Sequence, residues 1–266
     1  QFGPVLAGLD CVHRYDYCTG AWTEMPNNGW STYGVSPVLH SDGFIYMTGG
    51  ATGRPGLMLR LNTSTGYWTE LADAPTLGNS FEVVMISDPI SGLIHRIGGE
   101  DYAREHLVYN PLADSWSAAA QPPVRVFGGV GVFDPASADL IVIGGWNADN
   151  SWLGAASSVV QRYDPDTNSW SLGASMPGAR FAHDGDIGPD GNVYIWGGST
   201  NYFDGGAPVY NTLFQYNPGA NSWTNLGDPN PSGANREMGA AFDDNGVLHF
   251  VGGNTGGGPL TRQEFW

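Results

Sequence analysis

Three arginines, Arg125, Arg180 and Arg236, each stand just ahead of a short stretch that reads as a β-strand. If those stretches converge in the fold, the three guanidinium forks gather at one opening. There each can grip a carboxylate, or the vicinal hydroxyls of a sugar, with paired N–H donors. His183 follows closely on Arg180, and Glu100, Asp101 and Glu237 are the acids best placed to join it. An imidazole among carboxylates can move a proton or hold a divalent metal. No two of these residues show a diagnostic ligand spacing, so neither a metal nor a cofactor is expected. The remaining histidines, His13, His40, His95, His106 and His249, are scattered along the chain and form no visible cluster.

A second candidate set is aromatic. Trp30, Tyr102, Trp146, Trp152, Tyr202 and Phe203 fall in loop-like segments, beside Asn147, Asp149, Asn150, Asn201 and Asp204. Exposed rings stack on sugar faces while amides and carboxylates bind hydroxyls. The competing reading folds these loops back onto the scaffold. Arg54 occupies a shorter loop of the same kind. The ligand-binding candidates are therefore Arg54, Tyr102, Arg125, Trp146, Asn147, Trp152, Arg180, His183, Tyr202 and Arg236.

The elements that must position these residues repeat. Tyr163-Asp164-Pro165-Asp166-Thr167-Asn168-Ser169-Trp170 reads as the end of one strand, a tight turn and the start of the next. Proline fixes its own φ, Asp can bond the backbone ahead, and Asn can take the left-handed conformation at the exit. The unit recurs at residues 15–22, 61–68, 109–116 and 216–223, always with a bulky apolar residue seven positions before a tryptophan. Ahead of all but the first lies an apolar strand closed by a glycine pair. Gly49, Gly98, Gly144, Gly197 and Gly252 follow one another at 49, 46, 53 and 55 residues.

A period near 50 residues is that of a kelch-type propeller blade. The chain resembles the kelch β-propeller family, whose repeat ends its second strand on a diglycine and carries a spaced Tyr and Trp on its third and fourth. The resemblance covers nearly all of residues 1–266, read as one domain. It implies an all-β propeller with the tryptophans between blades, and it makes arginines before first strands and His183 ordinary repeat residues. First strands are expected near residues 35–40, 82–87, 129–134 and 183–188. Five four-stranded blades are expected. Residues 11–16 and 22–24 would supply the outer strands, and the C-terminal stretch the inner strands, of one closing blade. Such closure removes open strand edges. Residues 260–266 leave a six-blade alternative open.

Composition narrows the partners. There are 40 glycines, 18 prolines and 41% apolar residues, which suits short strands and tight turns rather than disorder. All ten cationic residues are arginine, against 26 acids, for a formal charge of −16. That disfavours nucleic acid and anionic membranes, and no apolar run is long enough to insert in a bilayer. Cys11 and Cys18 lie across the first repeat turn, where a disulfide would clip the hairpin in an oxidising compartment. Free thiols at those positions are the alternative. Cys18 beside Tyr17 resembles the Cys–Tyr pair of the kelch galactose and glyoxal oxidases, but nothing here supplies their copper ligands. Asn62 opens the one glycosylation sequon. Together these favour a secreted protein.

The leading functional reading is a secreted, lectin-like binder of glycan or polysaccharide, using the loop face. A sugar-active enzyme similar to the kelch sialate epimerases or to propeller polysaccharide lyases is the alternative, with Arg180, His183 and Glu237 converging at the channel mouth. A structural or protein-interaction propeller forming homo-oligomers is the third. Whether the chain is an enzyme stays open at this point.

Overall fold

The seven-residue spacing folds as a hairpin in which the apolar residue and the tryptophan face each other across the ladder. Tyr15–Trp22, Leu61–Trp68, Tyr109–Trp116, Tyr163–Trp170 and Tyr216–Trp223 are all directly paired. In the fourth unit Asp164 Oδ1 accepts from the N–H groups of Asp166 and Thr167, and Asn168 takes φ 49°. The computed structural model describes residues 12–16, 18–30, 32, 34–50, 53–76, 81–100, 104–147, 154–201, 208–228, 236–254 and 263–265.

The chain begins with a two-stranded hairpin, β1 (Val12–Asp16) and β2 (Ala21–Met25). Blade one follows as β3 (Ser36–Leu39), β4 (Phe44–Thr48), β5 (Met58–Asn62) and β6 (Trp68–Glu70). Blade two is β7 (Val84–Asp88), β8 (Leu93–Ile97), β9 (His106–Asn110) and β10 (Ser115–Ala118). Blade three contains β11 (Val130–Phe133) and β12 (Leu140–Ile143). A small ribbon of β13 (Trp146–Asn147) and β14 (Ala155–Ala156) interrupts it before β15 (Val160–Asp164) and β16 (Ser169–Gly173) complete the sheet. Blade four is β17 (Phe181–Ile187), β18 (Val193–Ser199), β19 (Leu213–Asn217) and β20 (Ser222–Gly227). A three-stranded sheet ends the chain: β21 (Arg236–Phe242), β22 (Leu248–Asn254) and β23 (Gln263–Phe265). All ladders are antiparallel meanders, as in a propeller.

Four complete blades are thus seen. The closure expected from the sequence takes a different form. Among the described residues no ladder joins β1–β2 to the C-terminal sheet, and β23 pairs with β22 in the third-strand place expected for residues 11–16. Hydrogen bonding with β22 is satisfied by the nearer segment in sequence. A short loop closes at less entropic cost than the whole ring.

The core lies between blades, because each sheet buries both faces against its neighbours. Tyr46 and Met58 of blade one pack on Met85, Ile94 and Tyr109 of blade two. Ile86 and Ile97 pack on Leu140, Val142 and Tyr163, and Ile141, Ile143 and Val160 on Val193, Ile195 and Tyr216. Trp196 and Leu213 continue the series onto Met238, Leu248 and Phe250.

A polar clamp accompanies the three seams between the complete blades. Trp116, Trp170 and Trp223 donate their indole N–H to the carbonyls of Ala72, Ala120 and Ala174 in the preceding blade, at 2.8, 2.7 and 2.8 Å. The turn residues Asp114, Asn168 and Asn221, at φ 46°, 49° and 49°, accept from the N–H of those same alanines. Each also accepts from the hydroxyl of the facing Tyr109, Tyr163 or Tyr216. One backbone residue per seam is therefore held at both its polar groups, which leaves neither orphaned as the seam closes. Trp68 makes the corresponding bond to Pro26, just past β2, at 2.9 Å. The β1–β2 hairpin thus stands to blade one as each blade's outer strands stand to the next. Among the described residues no such seam covers the other side of the hairpin, and Trp22 is 50% exposed.

Candidate functional site

The loop face is framed by the diglycines and by the connections into each first strand. Gly34, Glu82, Gly128 and Ala182 all sit in the left-handed region, at φ 57°, 54°, 60° and 52°. Glu82 N–H donates to Gly34 O, Gly128 N–H to Glu82 O and Ala182 N–H to Gly128 O, at 2.6, 2.8 and 3.0 Å. These bonds pass from blade to blade around the channel mouth. Holding Glu82 and Ala182 there opposes their Cβ sterics by about 1–2 kcal/mol each, which the surrounding bonds offset. Gly144 cannot be replaced so easily: a Cβ there would lie 2.5 Å from the His183 ring.

The described residues do not show the expected arginine ring. Arg180 is 2% exposed, its Nη1 donates to Gly197 O and Thr212 O, both at 2.8 Å, and its guanidinium lies over Tyr210 and Phe214. Burial pulls its pKa down to about 10. It braces the loop of its own blade. Arg125 is out of register with it. Gly145 N–H donates to Arg180 O as Gly99 N–H donates to Val126 O, so Val126 is the counterpart and Arg125 precedes it. Arg236 opens β21, but its side chain lies outside the described residues.

His183 is also a core residue. It is 5% exposed, and its Nε2–H donates to Ile143 O at 3.1 Å. Burial first, and the Arg180 charge second, lower its pKa to about 3. Trp146 is 5% exposed rather than a free ring. The β13–β14 ribbon folds it into a cluster with Phe127 and Phe181, where Phe181 meets it edge to face and Phe127 meets Phe181 in the same way. Asn147, beside it, is half-buried and pairs through its backbone with Ala155. Tyr102, Trp152 and Tyr202 lie outside the described residues, as does Cys11. Cys18 is exposed with a free thiol, so the Cys11–Cys18 bond is not shown.

What the structure does bring together is a cluster on the rim of blade one. Arg54 donates Nε and Nη2 to the two carboxylate oxygens of Asp73, each at 2.8 Å, and Nη1 to Glu70 Oε2 at 2.7 Å. Its guanidinium lies 5.0 Å from the centre of the Trp30 ring, and Trp30 Nε1 donates to Glu70 Oε1 at 3.0 Å. Asp73 first and then Glu70 hold the Arg54 cation well above its ordinary range, while Arg54 and Trp30 lower Glu70. Glu70 and Asp73 are exposed and Trp30 is half-buried. The sequence singled out Arg54 and Trp30 but missed both acids, although Glu70 closes a fourth strand and Asp73 starts the connection into the next blade. That repeat position was the available signal.

The histidines are less scattered than their numbering suggests. His95 Nδ1 lies 2.9 Å from His106 Nε2, and His106 Nδ1–H donates to Ala120 O at 2.8 Å. The pair is buried against Tyr163 and Trp170. Burial lowers His95 to about 3 and His106 to about 4. Neither faces a site. Among the described residues no three His, Cys, Asp or Glu side chains are grouped to hold a metal.

Meandering sheets packed face to face, clamped through tryptophan at the seams from the N-terminal hairpin to blade four, define a kelch-type β-propeller. The chain belongs to the Attractin/LZTR1 beta-propeller family, whose model matches residues 7–258. It is 26% identical over 266 residues to Kelch-like protein 35 of Mus musculus, covering 98% of this chain and 42% of that protein. It is 30% identical over 146 residues to N-acetylneuraminate epimerase 2 of Escherichia coli O6:H1, covering 53% of this chain and 36% of that protein. The chain therefore spans less than half the length of these relatives. The solved structure of YjhT superimposes with a TM-score of 0.72 at 15% identity, covering 91% of this chain and 84% of that one. That likeness concerns the fold alone.

Proposed function

We propose that this propeller is a binding module that takes a neutral glycan on its loop face. The observation that carries the reading is the Trp30–Arg54–Glu70–Asp73 cluster. A half-exposed ring and prealigned carboxylates are already fixed by mutual hydrogen bonds, so little ordering remains for binding. Carboxylate oxygens keep lone pairs for sugar hydroxyls, and the ring offers an apolar face. The formal charge of −16 and the pairing of Arg54 favour a neutral ligand over a uronate or sialate. The similarity to N-acetylneuraminate epimerases supports a sugar ligand. An epimerase-like reaction is less favoured, since Arg180 and His183 donate to backbone carbonyls inside the core.

The secreted, glycosylated reading rests on the sequon. Asn62 Oδ1 accepts from Ser64 and Thr65 in an exposed turn at the end of β5, which keeps the segment accessible. For the ring, we favour the six-blade alternative over five, because β1–β2 and β21–β23 are separate partial sheets.

A glycan array followed by calorimetry tests the function. Trp30→Ala should weaken binding of any neutral glycan hit by about 1–3 kcal/mol, in the range of a lost anchor, and Arg54→Ala should weaken it too. An array without hits, or variants that bind like the parent, would move the reading to a protein-interaction propeller that forms homo-oligomers.

A further inference from the structure

The channel also opens on the face away from the loops, between the turns that join first and second strands. There β3, β7, β11 and β17 line an open concavity of about 490 Å³, a size that suits a small organic ligand. Its walls are apolar, with Met85, Ile86, Val132 and Phe133 prominent. Leu39, which lines it, is 65% exposed, and Ile90, next to the lining Pro89, is 71% exposed. Large aliphatic side chains held in water around a concave opening mark a binding surface more often than a bare scaffold.

The cavity holds one carboxylate, Asp186, and one imidazole, His40. Both His40 ring nitrogens are engaged, Nε2 with Gly92 O and Nδ1 with Asp42. Asp186 takes the place that Val132 and Ile86 hold in the preceding blades, as Asp184 takes that of Val130 and Val84. The pair reaches across to the edge of β21: Asp184 Oδ2 accepts from Ala240 N–H at 2.8 Å and Asp186 Oδ2 from Phe242 N–H at 3.0 Å. Gly185 N–H and Ile187 N–H donate to the other oxygen of each, Asp184 Oδ1 and Asp186 Oδ1, both at 2.8 Å, yet four neutral main-chain donors supply no positive charge. Among the described residues neither acid has an ion-pair partner. Burial pushes both above the ordinary carboxylate range, Asp184 to about 7, with the Asp186 charge adding to the effect. The wall therefore holds a carboxyl group without a counterion, whose ionised form a bound cation would favour, beside apolar surface and Ser87.

We infer that this cavity is a second ligand site, distinct from the loop face, and that it takes a small organic cation: a primary ammonium on an apolar chain. The ammonium sits against Asp186, with three N–H donors for the carboxylate's remaining lone pairs and a nearby hydroxyl. The chain lies along Met85, Val132 and Phe133, and Leu39 covers its exit.

Hexylammonium, 1-hexanol and hexanoate share a chain and differ in head group. NMR titration of the whole chain should show saturable binding of hexylammonium at least tenfold tighter than of the other two. Asp186→Asn should bring hexylammonium to the alcohol's level. Leu39→Arg, on an exposed position at the mouth, should weaken it at least tenfold while the melting temperature stays unchanged. Should Asp186→Asn fail to fold, the three-probe comparison and Leu39→Arg decide the matter. No saturable hexylammonium binding, equal affinity for all three probes, or an unaffected Leu39→Arg variant would overturn the inference.

Discussion

Pro26, which has no N–H to donate, faces Gly66, which has no side chain to accept one: a Cβ on Gly66 would lie 3.0 Å from Pro26 Cδ. At the next three seams the same two places are held by Ala72 and Asp114, Ala120 and Asn168, and Ala174 and Asn221, bonded at 2.8, 2.8 and 2.6 Å. Donor and acceptor are lost together at the first seam, so no buried polar group is left unpaired there. Only the indole half of the clamp, Trp68 to Pro26 O, survives.

That pairing predicts a coupled substitution. Gly66→Asn alone should destabilise, because the new side chain meets Pro26. Combined with Pro26→Ala it should rebuild the full clamp. Urea unfolding of both single variants and the double should give a favourable coupling of about 0.5–2 kcal/mol. Additive effects would mean the seams are not equivalent.

The seam tryptophans should differ in weight by their burial. Trp116→Phe leaves Ala72 O without its indole donor and should lower stability by about 1–3 kcal/mol, whereas after Trp170→Phe the His106 imidazole still donates to Ala120 O and the loss should be smaller. Trp22→Phe, at a position half exposed among the described residues, should stay within about 0.5 kcal/mol of the parent. Equal losses at Trp22 and Trp116 would show that something covers Trp22 in solution.

Arg180→Met should act on folding. It leaves Gly197 O and Thr212 O without their donor and should lower stability by at least about 2 kcal/mol. Arg54→Ala, whose ion pairs are exposed, should lie within about 1 kcal/mol of the parent. A stable, soluble Arg180→Met protein that has lost glycan binding would return Arg180 to the site.

The buried histidine pair should make the fold acid-sensitive. His95 at about 3 and His106 at about 4 lie below the ordinary imidazole value, so the fold holds the neutral forms. Their contribution is full above about pH 6.5 and is lost as pH falls toward 4, where the unfolded chain binds protons that the fold refuses. His95→Phe should flatten that part of the stability–pH curve, whatever it does to the absolute value. An unchanged slope would assign the effect to other groups.

Asp184 should act in the opposite sense. Its folded pKa of about 7 lies above the ordinary carboxylate value, so the ionised form is disfavoured in the fold. Stability should rise from this group as pH falls from about 7 toward 4. The difference in unfolding free energy between the parent and Asp184→Asn, followed from pH 8 to 4, isolates it. A pH-independent difference would mean that Asp184 titrates normally.

The residues Tyr163 to Trp170 determined much of this protein by themselves. A turn with Asp and Pro at its start and Asn at its left-handed exit fixes the register of a hairpin, and its recurrence with the diglycines fixes a propeller. These are local rules, acting within ten residues, and a sequence displays them directly. What the tertiary structure alone decided is which polar side chains remain for function. Arg180 and Trp146 have the types and loop positions of a binding site, yet folding brings Gly197 O and Thr212 O to the one and Phe127 and Phe181 around the other. Glu70 and Asp73 read as surface acids until Arg54 swings over Trp30 to meet them. His95 and His106 join across a strand pair whose diagonal register no spacing rule announces. In each case the deciding energy is desolvation against a partner distant in sequence, and only the packed blades say which partner arrives.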